Sequence, residues 1–308
     1  MSSITLAATR IPLSEYDYLI LAGPTAVGKT ALVNELARKM ALEVVSADSR
    51  QVYRGMDIGT ATPDAETLAR IPHHFINELE PDTVWNAGTF YKEARQRIRK
   101  ICQRDRLPVV VGGAGLYLEA LRQGFFDETA KDLAIRKRYE VRLHEIGAAA
   151  LWQELKDLDP EYAATFHFND HKKLVRAFEI YESSGKSPSK AFAASQDPFE
   201  LHGGFLVLDR PRELLYQRID DRVDQMMAAG LVDECQSLLR KGYGPELYPL
   251  RTIGYQEVFE HLAGRLSEDE ATALIKKNTR NFAKRQLTWF RNHPFDHWIT
   301  LDDEVHTG

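Results

Sequence analysis

The stretch that most restricts what this chain can become lies between Tyr18 and Met40. An apolar run, Tyr18-Leu19-Ile20-Leu21-Ala22, passes directly into Gly23-Pro24-Thr25-Ala26-Val27-Gly28-Lys29-Thr30, and a helix-prone segment, Ala31 to Met40, follows. A buried strand, a glycine-rich turn and a helix start in that order form a cradle for an anion. Backbone N–H groups and the helix N-terminus face the ligand, Lys29 adds a point charge, and Thr30 adds a hydroxyl suited to Mg²⁺. The ligand expected here carries a di- or triphosphate. The loop alone leaves open whether that group is transferred, hydrolysed or released.

The surrounding chain supplies the setting such a loop needs. Short apolar strands are expected at Leu42 to Ser46, Pro108 to Val111 and Gly204 to Leu208, with helical patterns at Ala94 to Arg104 and Arg212 to Ala229. This alternation predicts a parallel sheet flanked by helices. Val109-Val110-Val111 is an unbroken β-branched run, as a strand buried on both faces requires. From about Lys131 to Ala194 the periodicity is helical throughout, with segments at Ile135 to Ile146, Ala148 to Leu158 and Lys172 to Ser183. An α/β core at 1–126 and 200–308, interrupted by a helical insertion at 127–199, is therefore expected.

With 308 residues, 44% hydrophobic and 28% charged, the composition is that of a soluble globular protein, large enough for such an insertion. The polar N-terminus and the lack of a long apolar stretch predict a cytoplasmic protein with no membrane partner. Cys102 and Cys235 show no finger or redox spacing and are expected to be packing residues. A net charge of −5 argues against a uniformly basic nucleic-acid binder, so local distribution has to decide. The C-terminal third is expected to be helical, and Glu268 to Arg291 is its strongest helical segment. There Ile275, Phe282 and Trp289 recur every seven residues as a core face, and Lys277, Arg280, Lys284 and Arg291 form a neighbouring basic stripe uninterrupted by acid. Such a stripe suits either a solvated face or a ribose-phosphate track.

A kinase or NTPase built on this loop carries an acid at the end of a buried strand to help hold Mg²⁺. The best buried strand here ends in Gly112-Gly113-Ala114-Gly115 instead, leaving Asp209 as a substitute. A better placed carboxylate is Asp48, just after the second strand. Ligands of open α/β sheets bind outside the carboxyl ends of the strands, so Asp48 and the phosphate loop should share one crevice. There a carboxylate can accept a proton from an attacking hydroxyl or amine, although a helix cap or an Mg²⁺ ligand would use the same residue.

The loop Gly23 to Thr30, the segment Ser46-Ala47-Asp48-Ser49-Arg50-Gln51-Val52-Tyr53 through Ala61, and Val111-Gly112-Gly113 with Leu116-Tyr117 resemble the tRNA dimethylallyltransferases. So do Asn169-Asp170 with Arg176-Ala177-Phe178-Glu179, Leu215-Tyr216 to Gly230-Leu231 with Arg218 and Arg222, Ile253-Gly254-Tyr255, and Thr279-Arg280 with Ala283-Lys284-Arg285-Gln286. The resemblance runs in family order over nearly the whole chain. It implies an α/β, P-loop NTPase-like parallel sheet core with a helical, tRNA-binding insertion. It also implies transfer of a prenyl group from dimethylallyl diphosphate to N6 of the adenosine 3′ to the anticodon, with release of pyrophosphate. Attack at an allylic carbon changes the loop's task to neutralising a leaving group, so an acid at the third strand is less necessary.

By the same resemblance Asp48 is the base, Lys29 and the loop amides bind pyrophosphate, Thr30 helps hold Mg²⁺, and Arg222 adds a charge to the leaving group. Asp48, Ser49, Arg50 and Gln51, Ala114, Lys172, Lys173 and Arg176, Arg251, Gly254, Tyr255 and Gln256, with Arg280 and Lys284, are expected on the tRNA anticodon stem-loop. The adenosine would have to be extruded into the site, where Tyr53, Tyr117 and Tyr255 are candidates to stack on bases or line the prenyl pocket. A monomer is the working expectation. Two departures stand out: Ala114 replaces the family's usual threonine, and Lys173 replaces its usual arginine, which makes bidentate contacts that lysine cannot. Both point to a divergent paralogue with slower turnover or altered RNA preference. A small-molecule kinase using ATP, a prenyltransferase acting on free adenine nucleotides, and a tRNA-binding protein with weakened catalysis are the competing readings.

Overall fold

The computed structural model describes residues 4–6, 9–124, 133–194 and 201–301. An antiparallel pair of strands, β1 (Ile4–Leu6) and β2 (Thr9–Ile11), precedes β3 (Tyr18–Ala22), the loop and α1 (Lys29–Lys39). Next come β4 (Leu42–Ala47), α2 (Ala65–Arg70), β5 (His73–His74), α3 (Ala87–Cys102), β6 (Leu107–Gly112) and α4 (Gly115–Gln123). Five helices follow: α5 (Leu133–Ile146), α6 (Ala148–Leu158), α7 (Pro160–Ala163), α8 (His171–Ser184) and α9 (Pro188–Ala194). The chain closes with β7 (Gly203–Asp209), α10 (Arg212–Ala228), α11 (Leu231–Arg240), α12 (Tyr255–Leu262), α13 (Glu268–Arg291) and β8 (His297–Thr300). None of the described helices is long and apolar enough to cross a membrane.

Contacts divide the chain into two units. One takes the described residues of Met1–Asn86, Lys92–Glu119 and Leu201–Gly308, and the other those of Ala87–Tyr91 and Ala120–Glu200. The domain boundaries expected at 126/127 and 199/200 fall outside the described residues.

The first unit is built on a six-stranded sheet in the order β5-β4-β6-β3-β7-β8, parallel at every pairing. Every residue of β3 and of β4 is buried, the pattern of strands covered on both faces. Register then decides what emerges at the carboxyl edge. Ala22 and Ala47 both pair with Gly112, so Gly23, Asp48 and Gly113 leave the sheet side by side.

That edge closes tightly at Gly112. A Cβ there would lie 2.2 Å from the Ala47 carbonyl oxygen, a backbone atom that cannot rotate away. Gly112→Ala must part β4 from β6, and a loss of about 3 kcal/mol of stability is expected by overpacking. A denaturant midpoint equal to wild type would contradict this packing.

Two elements depart from expectation. The C-terminal third holds β8 as well as helices; its four residues bury only Ile299, too little pattern to register in the sequence. In α13 the buried residues are Ala271, Ile275, Ala283, Gln286 and Phe290, while Phe282 is 38% exposed and Trp289 only partly buried. The buried face instead runs through Ala283, Gln286 and Phe290, three and four residues apart, to one side of the Ile275-Phe282-Trp289 line.

The second unit packs Tyr139, Leu151, Leu155, Leu174, Val175 and Phe178 into its own core, with the Tyr139 and Phe178 rings stacked at 4.7 Å. Asp159 is buried there, accepting hydrogen bonds from the Tyr162 N–H at 3.0 Å and the Ser189 N–H at 2.7 Å.

Candidate active site

The glycine-rich loop spends its carbonyls on basic side chains, while the amides that open the helix after it find no acceptor within that helix. Lys29 Nζ donates to the carbonyls of Gly23 and Pro24, both at 2.8 Å. Arg218 Nε donates to Ala26 O at 3.0 Å and Arg210 Nε to Val27 O at 3.3 Å. The amides of Lys29 and Thr30 stand in the first turn of α1, where no intrahelical acceptor exists. Gly28, the N-cap, brings no side chain to them. The result is an uncapped helix end with a ring of cations behind it, the arrangement that holds an anion.

Lys29 registers how crowded those cations are. Burial and the neighbouring Arg222 charge pull its ammonium down to about 7, against the opposing pull of Asp48. Arg222 is likewise pushed downward by burial, with Asp48 supporting its charge and Arg218 opposing it. Its guanidinium reaches Thr25 Oγ1 at 3.4 Å. The structure thus brings Asp48, Lys29 and Arg222 into one electrostatic cluster in which positive charge is in excess. A multiply charged anion would relieve that excess.

Asp48 leaves β4 in a tight turn. Its Oδ1 accepts from the Arg50 N–H at 2.8 Å and the Gln51 N–H at 3.3 Å, whereas Oδ2 accepts nothing from the described residues. One oxygen is spent on orientation and the other is available to take a proton. The alternative acid, Asp209, is engaged: its Oδ1 accepts the Arg210 N–H at 2.8 Å, and Arg291 lies 3.8 Å from its carboxylate.

Gln51 is held inside the fold. Its Nε2 donates to Thr60 O at 3.2 Å and Ala61 O at 3.3 Å, and its Oε1 accepts from Ser46 Oγ at 2.8 Å. Ser49 takes the Arg50 guanidinium on its hydroxyl at 3.2 Å. Arg251 is exposed and braced on Glu246 O at 2.8 Å, and Gln256 and Lys284 are exposed. Arg280 pairs with Asp220 of α10 at 2.7 Å. In the second unit, Lys172 and Lys173 are exposed in the first turn of α8, and Arg176 pairs with Glu179 at 3.0 Å.

Two expected contacts need correction. Tyr255 is fully buried, its hydroxyl donating to Glu234 Oε1 at 2.6 Å and its ring filling the space over Gly59, so it offers no face to RNA. Gly254 is buried beside it at φ 97°, a turn that favours glycine, with its N–H on Glu257 Oε2 at 2.7 Å. Tyr53 is buried too, and its hydroxyl donates to Thr83 O at 3.1 Å. Tyr117 is buried in α4, and burial raises its phenol well above the ordinary range.

Ala114 is the N-cap of α4: its carbonyl accepts from Leu118 N at 3.2 Å and Tyr117 N at 2.9 Å. Alanine is among the poorest residues for that place, since it returns no side-chain acceptor to the helix amides. Ala114→Thr is expected to stabilise the protein by about 1 kcal/mol through capping, and the added hydroxyl at the strand edge should raise turnover or RNA affinity. Thermal melts and steady-state rates unchanged from wild type would count against both effects.

Sequence reasoning gave no role to Gln286. Its Oε1 accepts the Thr25 N–H and its Nε2 donates to Gly113 O, each at 3.0 Å, so α13 ties the phosphate loop to the end of β6. A polar residue in register with Ala283 and Phe290 was the available signal. Glu234 was missed as well. Its carboxylate accepts the N–H groups of Asp57, Ile58 and Gly59 at 2.9, 2.7 and 3.1 Å.

Fold and site together define a P-loop-like α/β protein in which a glycine-rich loop and its cations lie beside a carboxylate oxygen that accepts nothing from the described residues. The chain belongs to the IPP transferase family, whose family model matches residues 51–293. It is 47% identical over 287 residues to a tRNA dimethylallyltransferase of Chlorobium chlorochromatii, covering 91% of this chain and 92% of the relative. A tRNA dimethylallyltransferase of Syntrophobacter fumaroxidans is 44% identical over 298 residues, covering 96% and 86%. Among solved structures, the full-length tRNA isopentenylpyrophosphate transferase of Bacillus halodurans superposes with a TM-score of 0.67 at 38% identity, covering 94% of this chain and 92% of that one. A eukaryotic dimethylallyltransferase acting on tRNA superposes with a TM-score of 0.72 at 28% identity, covering 94% and 75%.

Proposed function

We propose that the protein transfers a dimethylallyl group from dimethylallyl diphosphate to N6 of the adenosine 3′ to the anticodon of tRNA, releasing pyrophosphate. The observation that carries this reading is the cluster of Asp48, Lys29 and Arg222, a proton acceptor beside an excess of positive charge. The family and the relatives' names agree with it.

In this reading the loop amides, Lys29 and Arg222 grip the diphosphate. As the allylic C–O bond breaks, its electron pair leaves with pyrophosphate and these cations absorb the charge. N6 of adenine bonds to the allylic carbon, and the proton that N6 sheds passes to the free Oδ2 of Asp48. The described residues contain no group of three or more His, Cys, Asp or Glu able to cage a metal. Thr30, at the start of α1, is the residue that would offer a hydroxyl to Mg²⁺. When bound it would add positive charge to the leaving group.

RNA contacts are assigned to the exposed Lys172, Lys173, Arg251, Gln256 and Lys284. A cytoplasmic place of action follows from the acceptor. Incubation with unmodified tRNA and either dimethylallyl diphosphate or ATP tests the reading. Nucleoside mass spectrometry should find prenyladenosine with the diphosphate alone; ATP consumption without prenyl transfer would favour a kinase.

A further inference from the structure

Tyr248 is the most conspicuous aromatic on the described surface. It opens a 3₁₀ turn, Tyr248–Leu250, and 68% of it is exposed although the next two residues, Pro249 and Leu250, are buried. Leu250 N donates to Leu247 O at 3.1 Å, so the ring is mounted on an anchored turn rather than on a loose loop. The Arg50 guanidinium lies over that ring, 4.7 Å from its centroid. Arg50 is also the residue whose backbone N–H orients Asp48, at 2.8 Å. Its Nε is buried without a hydrogen-bond partner. Through Arg50, the Tyr248 ring is thus joined to the turn that holds Asp48.

An aromatic ring that keeps one side on a guanidinium and leaves most of its surface to solvent is poorly explained by packing. Stacking on a nucleobase is the interaction that such a ring, fixed beside a planar cation, is built to make. We propose that Tyr248, backed by Arg50, is a stacking platform for a base next to the target adenosine, taking that base when the adenosine leaves the stack. The inference rests on the RNA-acceptor reading above. It assigns to this chain a recognition contact that depends on an aromatic face rather than on charge.

The test uses a synthetic anticodon stem-loop with adenosine immediately 3′ of the anticodon, and two further stem-loops made abasic at one or the other neighbour of that adenosine. Tyr248→Ala should raise KM for the intact RNA about tenfold, with the loss in KM and not in kcat, and with KM for dimethylallyl diphosphate and the melting temperature as in wild type. Tyr248→Trp should retain RNA affinity. One of the abasic stem-loops should weaken wild type by a similar factor and leave Tyr248→Ala no weaker than it already is. An unchanged KM for RNA, equal losses in both proteins with both abasic stem-loops, or a change in donor KM instead would overturn the assignment. Failure of wild type to prenylate the intact stem-loop would instead reject the reading on which it rests.

Discussion

Asp48→Asn is expected to lower turnover by roughly 100- to 10,000-fold, the range for loss of a positioned general base. The asparagine carbonyl can take the place of Oδ1 and keep the hydrogen bonds from Arg50 and Gln51 that shape the turn. What disappears is the oxygen that receives the proton. Asp48→Ala removes both functions, so it should be at least as inactive and should also lower the melting temperature. The informative comparison is that Asp48→Asn melts like wild type and binds RNA like wild type, yet prenylates poorly. If Asp48 served only as a structural anchor, the asparagine variant would keep most of its activity.

Lys29→Met should cut kcat/KM for the diphosphate substrate by roughly 100- to 1,000-fold, as for removal of a donor aimed at developing negative charge. Its effect on folding should be of the opposite kind. The pKa of Lys29 falls from 10.5 to about 7 on folding. The unfolded chain therefore binds this proton more tightly, and the charged side chain weighs against the folded state at pH below the unfolded value. Methionine relieves that penalty, so the variant should melt no lower than wild type. The same lowered pKa gives diphosphate binding a pH signature. Below about 7 the free lysine is already charged and this group adds no pH dependence. As pH rises through that value the free protein loses the proton, and an incoming anion restores it. Binding should then take up a proton and weaken with rising pH, an effect that calorimetry in buffers of different ionisation enthalpy measures and that Lys29→Met should abolish.

What the sequence revealed was mostly local. Strand, loop and α1 are contiguous between Tyr18 and Lys39, so spacing alone exposed the cradle, and Asp48 was visible because it directly follows the second expected strand. α6 and α13 were predicted at their observed limits because amphipathic periodicity marks them from end to end. Contacts made across the chain were not legible. Gln286 meets Thr25 over 261 positions and Glu234 meets Asp57 over 177, and no local pattern encodes either hydrogen bond. Tyr255 is expected on RNA from the family resemblance of Ile253-Gly254-Tyr255. Only the cavity at Gly59 and the Glu234 carboxylate show that it faces inward.

The measurement that most directly tests the account follows the oxygen that bridges the prenyl chain and the diphosphate. Labelled with heavy oxygen at that position, the donor is incubated with the protein and unmodified tRNA, and the products are separated by mass. Cleavage at carbon, with the phosphate loop and Lys29 holding a leaving group, predicts that all label appears in pyrophosphate, in one-to-one yield with prenyladenosine. Label retained on dimethylallyl alcohol or its monophosphate would mean attack at phosphorus, and would contradict the roles given to Lys29, Arg222 and Asp48.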